Sequence, residues 1–108
     1  MAFAQMLRNA SEEPGMVLIN GVVGPRGDGY VPGEGLAAAE AERYHSHQVE
    51  ALAHAGADMV SAITMTNAPE AIGIARAAAA ANVPCVVSYT VETDGALPTG
   101  QSLAEAIA

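Results

Sequence analysis

Ala55-Gly56-Ala57-Asp58-Met59-Val60-Ser61-Ala62-Ile63-Thr64-Met65-Thr66-Asn67-Ala68-Pro69-Glu70 holds the end of one helix, a strand and the start of a second helix. Gly56 is placed to end the first helix in the left-handed conformation that glycine tolerates. Asp58 to Thr64 is a short apolar run with β-branched residues, bounded by turn signals, and reads as a strand. Asn67 suits the N-cap of the next helix, with Glu70 three positions on to complete a capping box.

Working outward, the same alternation repeats. Upstream, residues 36–55 form a helix whose apolar stripe is Ala41, His45, Val49, Leu52 and Ala55. Before it, residues 24–35 hold five glycines and two prolines and read as a long loop. Met16 to Gly24 is nearly continuous in apolar residues. It lacks alternation, which predicts a strand buried on both faces, as in parallel sheets. Ser11 to Gly15 break the chain, and Phe3, Met6, Leu7 and Ala10 are spaced for one face of a helix over residues 2–10.

Downstream, residues 68–81 are almost poly-alanine, a strong helix former whose small side chains let it sit close to a sheet. Asn82-Val83-Pro84 stops that helix. Residues 85–91 predict a third strand, residues 92–100 a polar loop, and Ser102 opens a last helix. Strands alternating with helices imply βαβ units and a parallel sheet. Three strands are fewer than the five or so of a doubly wound sheet, and a (β/α)8 barrel takes about 250 residues.

Composition narrows the function classes. The chain has 108 residues, 51% hydrophobic and 15% charged, which excludes disorder and allows one domain. Alanine fills 24 positions, lysine none, and the bases are Arg8, Arg26, Arg43 and Arg76. A net charge of −8 argues against nucleic acid and anionic membranes as partners. No apolar run approaches a membrane span, and the N-terminus lacks the pattern of a signal peptide. The single cysteine, Cys85, excludes an internal disulfide and fits a reducing, cytoplasmic setting. It is expected to be a buried packing thiol.

Most of the remaining candidate residues read as structural. His45 and His47 are two apart on a helix and point to different sides; a helical zinc pair needs a spacing near four. His45 is expected to pack its ring on the sheet, with His47 and His54 partly exposed. Glu40, Glu42 and Glu50 read as a solvated face. Asp28-Gly29 and Asp94-Gly95 are turn pairs, and together with Glu92 they lie in loops after strands. The glycines of residues 24–35 fit neither a dinucleotide fingerprint nor a Walker motif, which the lack of lysine excludes.

Three stretches, in order, resemble the homocysteine S-methyltransferase family. Asn20-Gly21-Val22-Val23-Gly24-Pro25-Arg26-Gly27 is similar to the family's Gly-Ser-Val-Gly-Pro-x-Gly strand and loop. Tyr44-His45-Ser46-His47-Gln48-Val49, continuing through Ala55-Gly56-Ala57-Asp58 to Ile63-Thr64, is similar to its Tyr/Phe-His helix, Ala-Gly-x-Asp turn and strand ending Glu-Thr. Val87-Ser88-Tyr89-Thr90, Asp94-Gly95 and Thr99-Gly100-Gln101-Ser102-Leu103 are similar to its Ser-Phe-Thr strand and Asp-Gly-Thr-x-Leu loop. The likeness covers residues 15–108.

The resemblance implies an α/β fold, a partial (β/α)8 TIM-type barrel with about three parallel strands and intervening helices. Residues 1–108 would be a fragment of a single barrel domain. It implies transfer of a methyl group from an S-methyl or N-methyl donor to the thiol of homocysteine, with zinc held by three cysteines in the full-length parent. Zinc lowers the pKa of the substrate thiol so that the thiolate attacks at neutral pH. Cys85 matches none of those ligands, so this chain would hold no metal ligand and no catalytic residue. The partners implied are a small-molecule thiol and a methyl donor.

The substrate-binding candidates are Gly24, Pro25, Thr64, Ser88 and Thr90. Gly24 and Pro25 would shape the rim through backbone. Thr64 either meets substrate or is an ordinary strand residue. Ser88 and Thr90 share a face and either bind a polar substrate or cap the strand end. Ile63 stands where the family has the glutamate expected to pair with the substrate ammonium, so a related thiol is a rival acceptor. Taken alone the chain would be inactive and would expose strand edges open to self-association. The alternative is a self-contained small βα module with an association or scaffold role.

Overall fold

Three strands lie side by side in chain order: β1 (Asn20–Val23), β2 (Met59–Met65) and β3 (Cys85–Tyr89), all parallel. Helix α1 (Ala38–His54) joins the first pair, α2 (Ala68–Ala80) joins the second, and a short α3 (Leu103–Ile107) follows β3. The computed structural model describes residues 17–26 and 37–107, with Met6 and Asn9. Of the helix expected over residues 2–10 only Met6 and Asn9 are described, both helical; the rest of it and loop residues 27–36, Asp28-Gly29 among them, lie outside the described residues.

The pairing register shows which residues share a face. Gly21 stands opposite Val60 and Val60 opposite Cys85; Val23 stands opposite Ala62 and Ala62 opposite Val87. These residues turn toward the helices. Val23, Val60 and Ala62 form one fully buried core with Val49 of α1 and Ala71, Ile74, Ala77 and Ala78 of α2. Burying a side chain such as Val60 or Ile74 contributes about 1.5–3 kcal/mol.

Val22, opposite Ser61, and Val86, next in that row, turn the other way and are exposed, as is Leu18 just before β1. The first strand is therefore buried on one face only, and spans four residues rather than nine. The reason is winding. Both crossovers return on the same side of the sheet, so no helix of the described chain reaches the far side. Consecutive parallel strands with both crossover helices on one side are consistent with one arc of a (β/α)8 barrel rather than with a doubly wound sheet, which puts helices on both faces.

Both long helices end as their sequences dictate. At α1, Gly56 takes φ 105° and donates to the Ala53 carbonyl, while Ala57 donates to that of Leu52. At α2, Asn82 takes φ 62° and donates to Ala79, while Val83 donates to Ala78. Each is a Schellman motif, one closed by glycine and one by asparagine. Asp58 then ties the strand starts together: its carboxylate accepts from the Ile19 amide at 2.7 Å, and its own amide donates to the Ile19 carbonyl at 2.8 Å. The acid of the Ala-Gly-x-Asp turn thus sets the β1–β2 register.

Beyond β3 the chain folds back on itself. Leu97 is buried there, and the Ser102 hydroxyl accepts from the Glu105 amide to cap α3. The Asp94-Gly95 turn forms as expected, with Asp94 accepting from the Ala96 amide and Gly95 at φ 80°.

The tightest packing joins the helices. A Cβ on Gly73 of α2 would lie 2.5 Å from the Ala41 Cβ and 2.6 Å from the Glu42 backbone nitrogen of α1. Mid-helix Gly→Ala normally gains about 1 kcal/mol. Here the obstacle is backbone, which cannot swing aside, and overpacking costs about 1–3 kcal/mol. Gly73→Ala is therefore expected to lower the urea midpoint of unfolding. A midpoint raised by the substitution would show that the helices do not approach this closely.

Candidate functional site

The five substrate-binding candidates all fall at the carboxyl ends of the strands. Gly24 and Pro25 follow β1, Thr64 lies near the end of β2, and Ser88 and Thr90 close β3. In open parallel sheets this edge is where ligands bind. Gly24 is exposed, with open space where a side chain would project. Thr90 completes the ladder, its amide donating to the Met65 carbonyl at 2.8 Å.

β2 does not end as a plain strand. Ala62 pairs with Val87 and Met65 with Tyr89, so β2 carries one residue more than β3 between these points. This bulge has a packing consequence. Ala62 and Met65, three apart, would face opposite sides of a regular strand. The extra residue lets both enter the core, where both are fully buried. Ile63 and Thr64 are consequently both exposed.

Thr64 absorbs the distortion with φ 53°, a left-handed conformation that a β-branched residue adopts only under constraint. Its hydroxyl donates to the Ile63 carbonyl at 2.7 Å, and its amide donates to the Ser88 hydroxyl oxygen at 3.3 Å. Two expected site residues are thereby brought together. Thr64 Oγ1, having spent its proton, offers lone pairs; Ser88, having accepted, keeps its proton to donate. The structure gives Gly24, Pro25 and Thr90 no hydrogen bond to this pair. Nor was the bulge signalled by the strand pattern. An odd spacing between Ala62 and Met65, two apolar residues that both seek the core, is the one clue the sequence carried.

A second polar pair sits lower on the same face, where Asn20 donates its side-chain N–H to the Ser61 hydroxyl at 2.8 Å. Glu92 and Asp94, after β3, are exposed.

The buried polar centre lies behind this rim, between the helices. His45 Nε2 and Glu70 Oε2 are 2.8 Å apart, and both side chains are at least 95% buried. The same carboxylate oxygen accepts the Arg26 amide at 2.7 Å. One expectation gains a partner and one is corrected. His45 is buried, and its ring nitrogen, which needs a polar partner there, takes the Glu70 carboxylate. The capping box is only half formed. Asn67 Oδ1 accepts from the Glu70 amide at 2.8 Å, but the Glu70 side chain turns to His45 and Arg26 instead of back to Asn67. A polar residue inside an apolar stripe, as His45 is, was the available signal.

The remaining histidines, His47 and His54, are exposed, as are Glu40 and Glu50, while Glu42 is intermediate. Cys85 is half-buried rather than fully buried and packs against the core. Burial pushes its thiol above the ordinary value, offset in part by a hydrogen bond from the Ala62 backbone. Among the described residues no three histidines, cysteines or carboxylates converge to hold a metal.

Comparison with known proteins accords with this arrangement. The model of the homocysteine S-methyltransferase family matches residues 1–108, and the chain belongs to that family. Comparison with curated proteins and with solved structures returns no match. No helix among the described residues is long and apolar enough to cross a membrane.

Two outcomes follow. Left-handed backbone costs an L-residue roughly 1–2 kcal/mol, so Thr64→Gly is expected to raise stability by about 1 kcal/mol and Thr64→Val to lower it. Thermal unfolding ranks the two; equal losses would mean that Thr64 carries no strain. The raised thiol predicts that iodoacetamide alkylates Cys85 more slowly than free cysteine at pH 8, with the rate still climbing above the ordinary thiol range. A rate matching free cysteine would contradict it.

Proposed function

We infer that this chain supplies part of the substrate wall of a thiol methyltransferase, acting on homocysteine or a related thiol. The observation that carries this is the Thr64–Ser88 pair: strained backbone and two hydroxyls gathered at the carboxyl end of adjacent parallel strands. Backbone strain of this kind concentrates at functional sites. In the reaction, the thiolate sulfur donates a lone pair to the methyl carbon. The bond from that carbon to the donor's sulfur or nitrogen breaks, its electrons stay with the donor, and the product is a methyl thioether, methionine when the acceptor is homocysteine.

The chain's part in this is to bind and orient. Ser88 supplies a proton donor suited to a carboxylate, and Thr64 Oγ1 an acceptor suited to an ammonium group. Ile63 supplies no charge. A charge-assisted hydrogen bond is worth about 1.5–3 kcal/mol, so a neutral rim holds an amino-acid thiol at least tenfold more weakly than a carboxylate would. Gly24 and Pro25 form the adjoining wall, and Thr90 extends the hydroxyl row.

A zinc ion held by three cysteines does not fit this sequence, which contains one cysteine. In the proposed reading, zinc and its ligands belong to a full-length parent, the barrel is closed by strands outside this sequence, and the enzyme works in the cytoplasm. A second reading, a βα module that associates with itself, is favoured by the outer edges of β1 and β3, which no strand among the described residues pairs, and by exposed Val22 and Val86.

Titration of the isotope-labelled chain with L-homocysteine tests the first reading. Amide shifts at Gly24, Thr64 and Ser88 are expected, saturating near about 1 mM. No response there up to tens of millimolar, together with concentration-dependent sedimentation, would replace it with the association module.

A further inference from the structure

The start of the loop after β1, residues 24–26, is held from behind. Arg26 is the third residue beyond β1, and its amide donates to Glu70 Oε2 at 2.7 Å. Glu70 sits in the first turn of α2, an element that the loop does not otherwise join in sequence. Its carboxylate is locked: the helix start is fixed by the Asn67 cap, and His45 Nε2 meets the same oxygen at 2.8 Å. An oxygen that already accepts one N–H is satisfied by a second donor, so His45 presents a proton on Nε2. The His45 ring is in turn braced edge-on by Tyr44 at 4.8 Å between centroids, and the Arg26 guanidinium lies over that same Tyr44 ring at 5.0 Å. Arg26 is thus gripped at its amide by a buried carboxylate and at its head by an aromatic face.

We propose that Glu70, oriented by His45, is the positioning residue of the rim: by holding the Arg26 amide it sets where Gly24 and Pro25 stand at the carboxyl end of β1. It touches no substrate and acts through the backbone of the loop. A carboxylate is suited to the task because a charge-assisted bond is shorter and about twice as strong as a neutral one. A merely structural pair would need only His45 and Glu70; the third contact, to a loop amide 44 residues away, is what gives the pair a role at the rim. The role in substrate binding rests on the reading of Gly24 and Pro25 as substrate wall; the hold on the loop does not.

Three measurements on the whole chain test this. In the unsubstituted protein, a through-hydrogen-bond coupling between the Arg26 amide nitrogen and the Glu70 carboxyl carbon is expected; its absence overturns the proposal without need of a variant. In Glu70→Ala, exchange of the Arg26 amide proton should accelerate by roughly tenfold or more beyond any acceleration at the mid-sheet Val60 amide, which reports the loss of global stability. Glu70→Gln retains an acceptor oxygen and should restore most of the Arg26 protection. Parallel loss at Arg26 and Val60 in either variant would reduce Glu70 to general stability and overturn the proposal. With homocysteine added, the Gly24 shift should saturate at roughly tenfold higher concentration in Glu70→Ala than in Glu70→Gln. If the unsubstituted chain shows no Gly24 response, the substrate reading fails by itself, and the coupling and exchange results still decide the role of Glu70.

Discussion

Gly73 lies so close to the backbone of Ala41 that α1 and α2 meet with no room for a side chain between them. Much of the described molecule depends on that approach. It brings both helices down on one face of the sheet and excludes water from the seam. A histidine and a glutamate caught in such a seam cannot be solvated separately, so His45 and Glu70 must meet. Breaking such a pair from one side strands the remaining buried polar group without a partner, at a cost of about 1–3 kcal/mol. Glu70, turned inward to satisfy His45, is then in reach of the Arg26 amide, which it holds just beyond β1.

A second constraint acts at the end of β2. Ala62 and Met65 both fill the core, and a regular strand cannot send residues three apart to the same side. The bulge resolves the conflict, but forces Thr64 into left-handed backbone and turns Ile63 outward beside it. The result is a local rearrangement of polar groups: the Thr64 amide, freed from the ladder, finds Ser88. Packing on one face of the sheet thus determines the chemistry displayed at its edge.

The two faces of the sheet carry different information. The helix-facing side is closed by Val23, Val60, Ala62 and their apolar partners, with the Tyr89 hydroxyl reaching the Ala106 carbonyl at its edge. The other side mixes Val22 and Val86 with the Asn20–Ser61 and Thr64–Ser88 pairs. Polar pairs thus stand at both ends of this face, with Val22 and Val86 between them. The chain's membership of the homocysteine S-methyltransferase family accords with that geometry.

Element type and order were legible in the sequence because they rest on local causes. Gly56 and Asn82 permit left-handed caps, Asn67 offers an N-cap oxygen, and alanine favours helix; the strands lie between such signals. The family was legible too, in three motifs whose order survived. That Thr64 and Ser88 belong to one edge followed from parallel winding. What only the tertiary structure decided was non-local. The apolar run before Gly24 reads as buried on both sides, yet which side is covered depends on where two distant helices land. His45 looked like a packing residue and Glu70 like half of a capping box, because the partner that redirects each lies 25 residues away. The bulge is likewise a compromise between strand pairing and core filling. Local patterns record what each residue prefers, and these three features record which preference yields when neighbours from elsewhere in the chain compete.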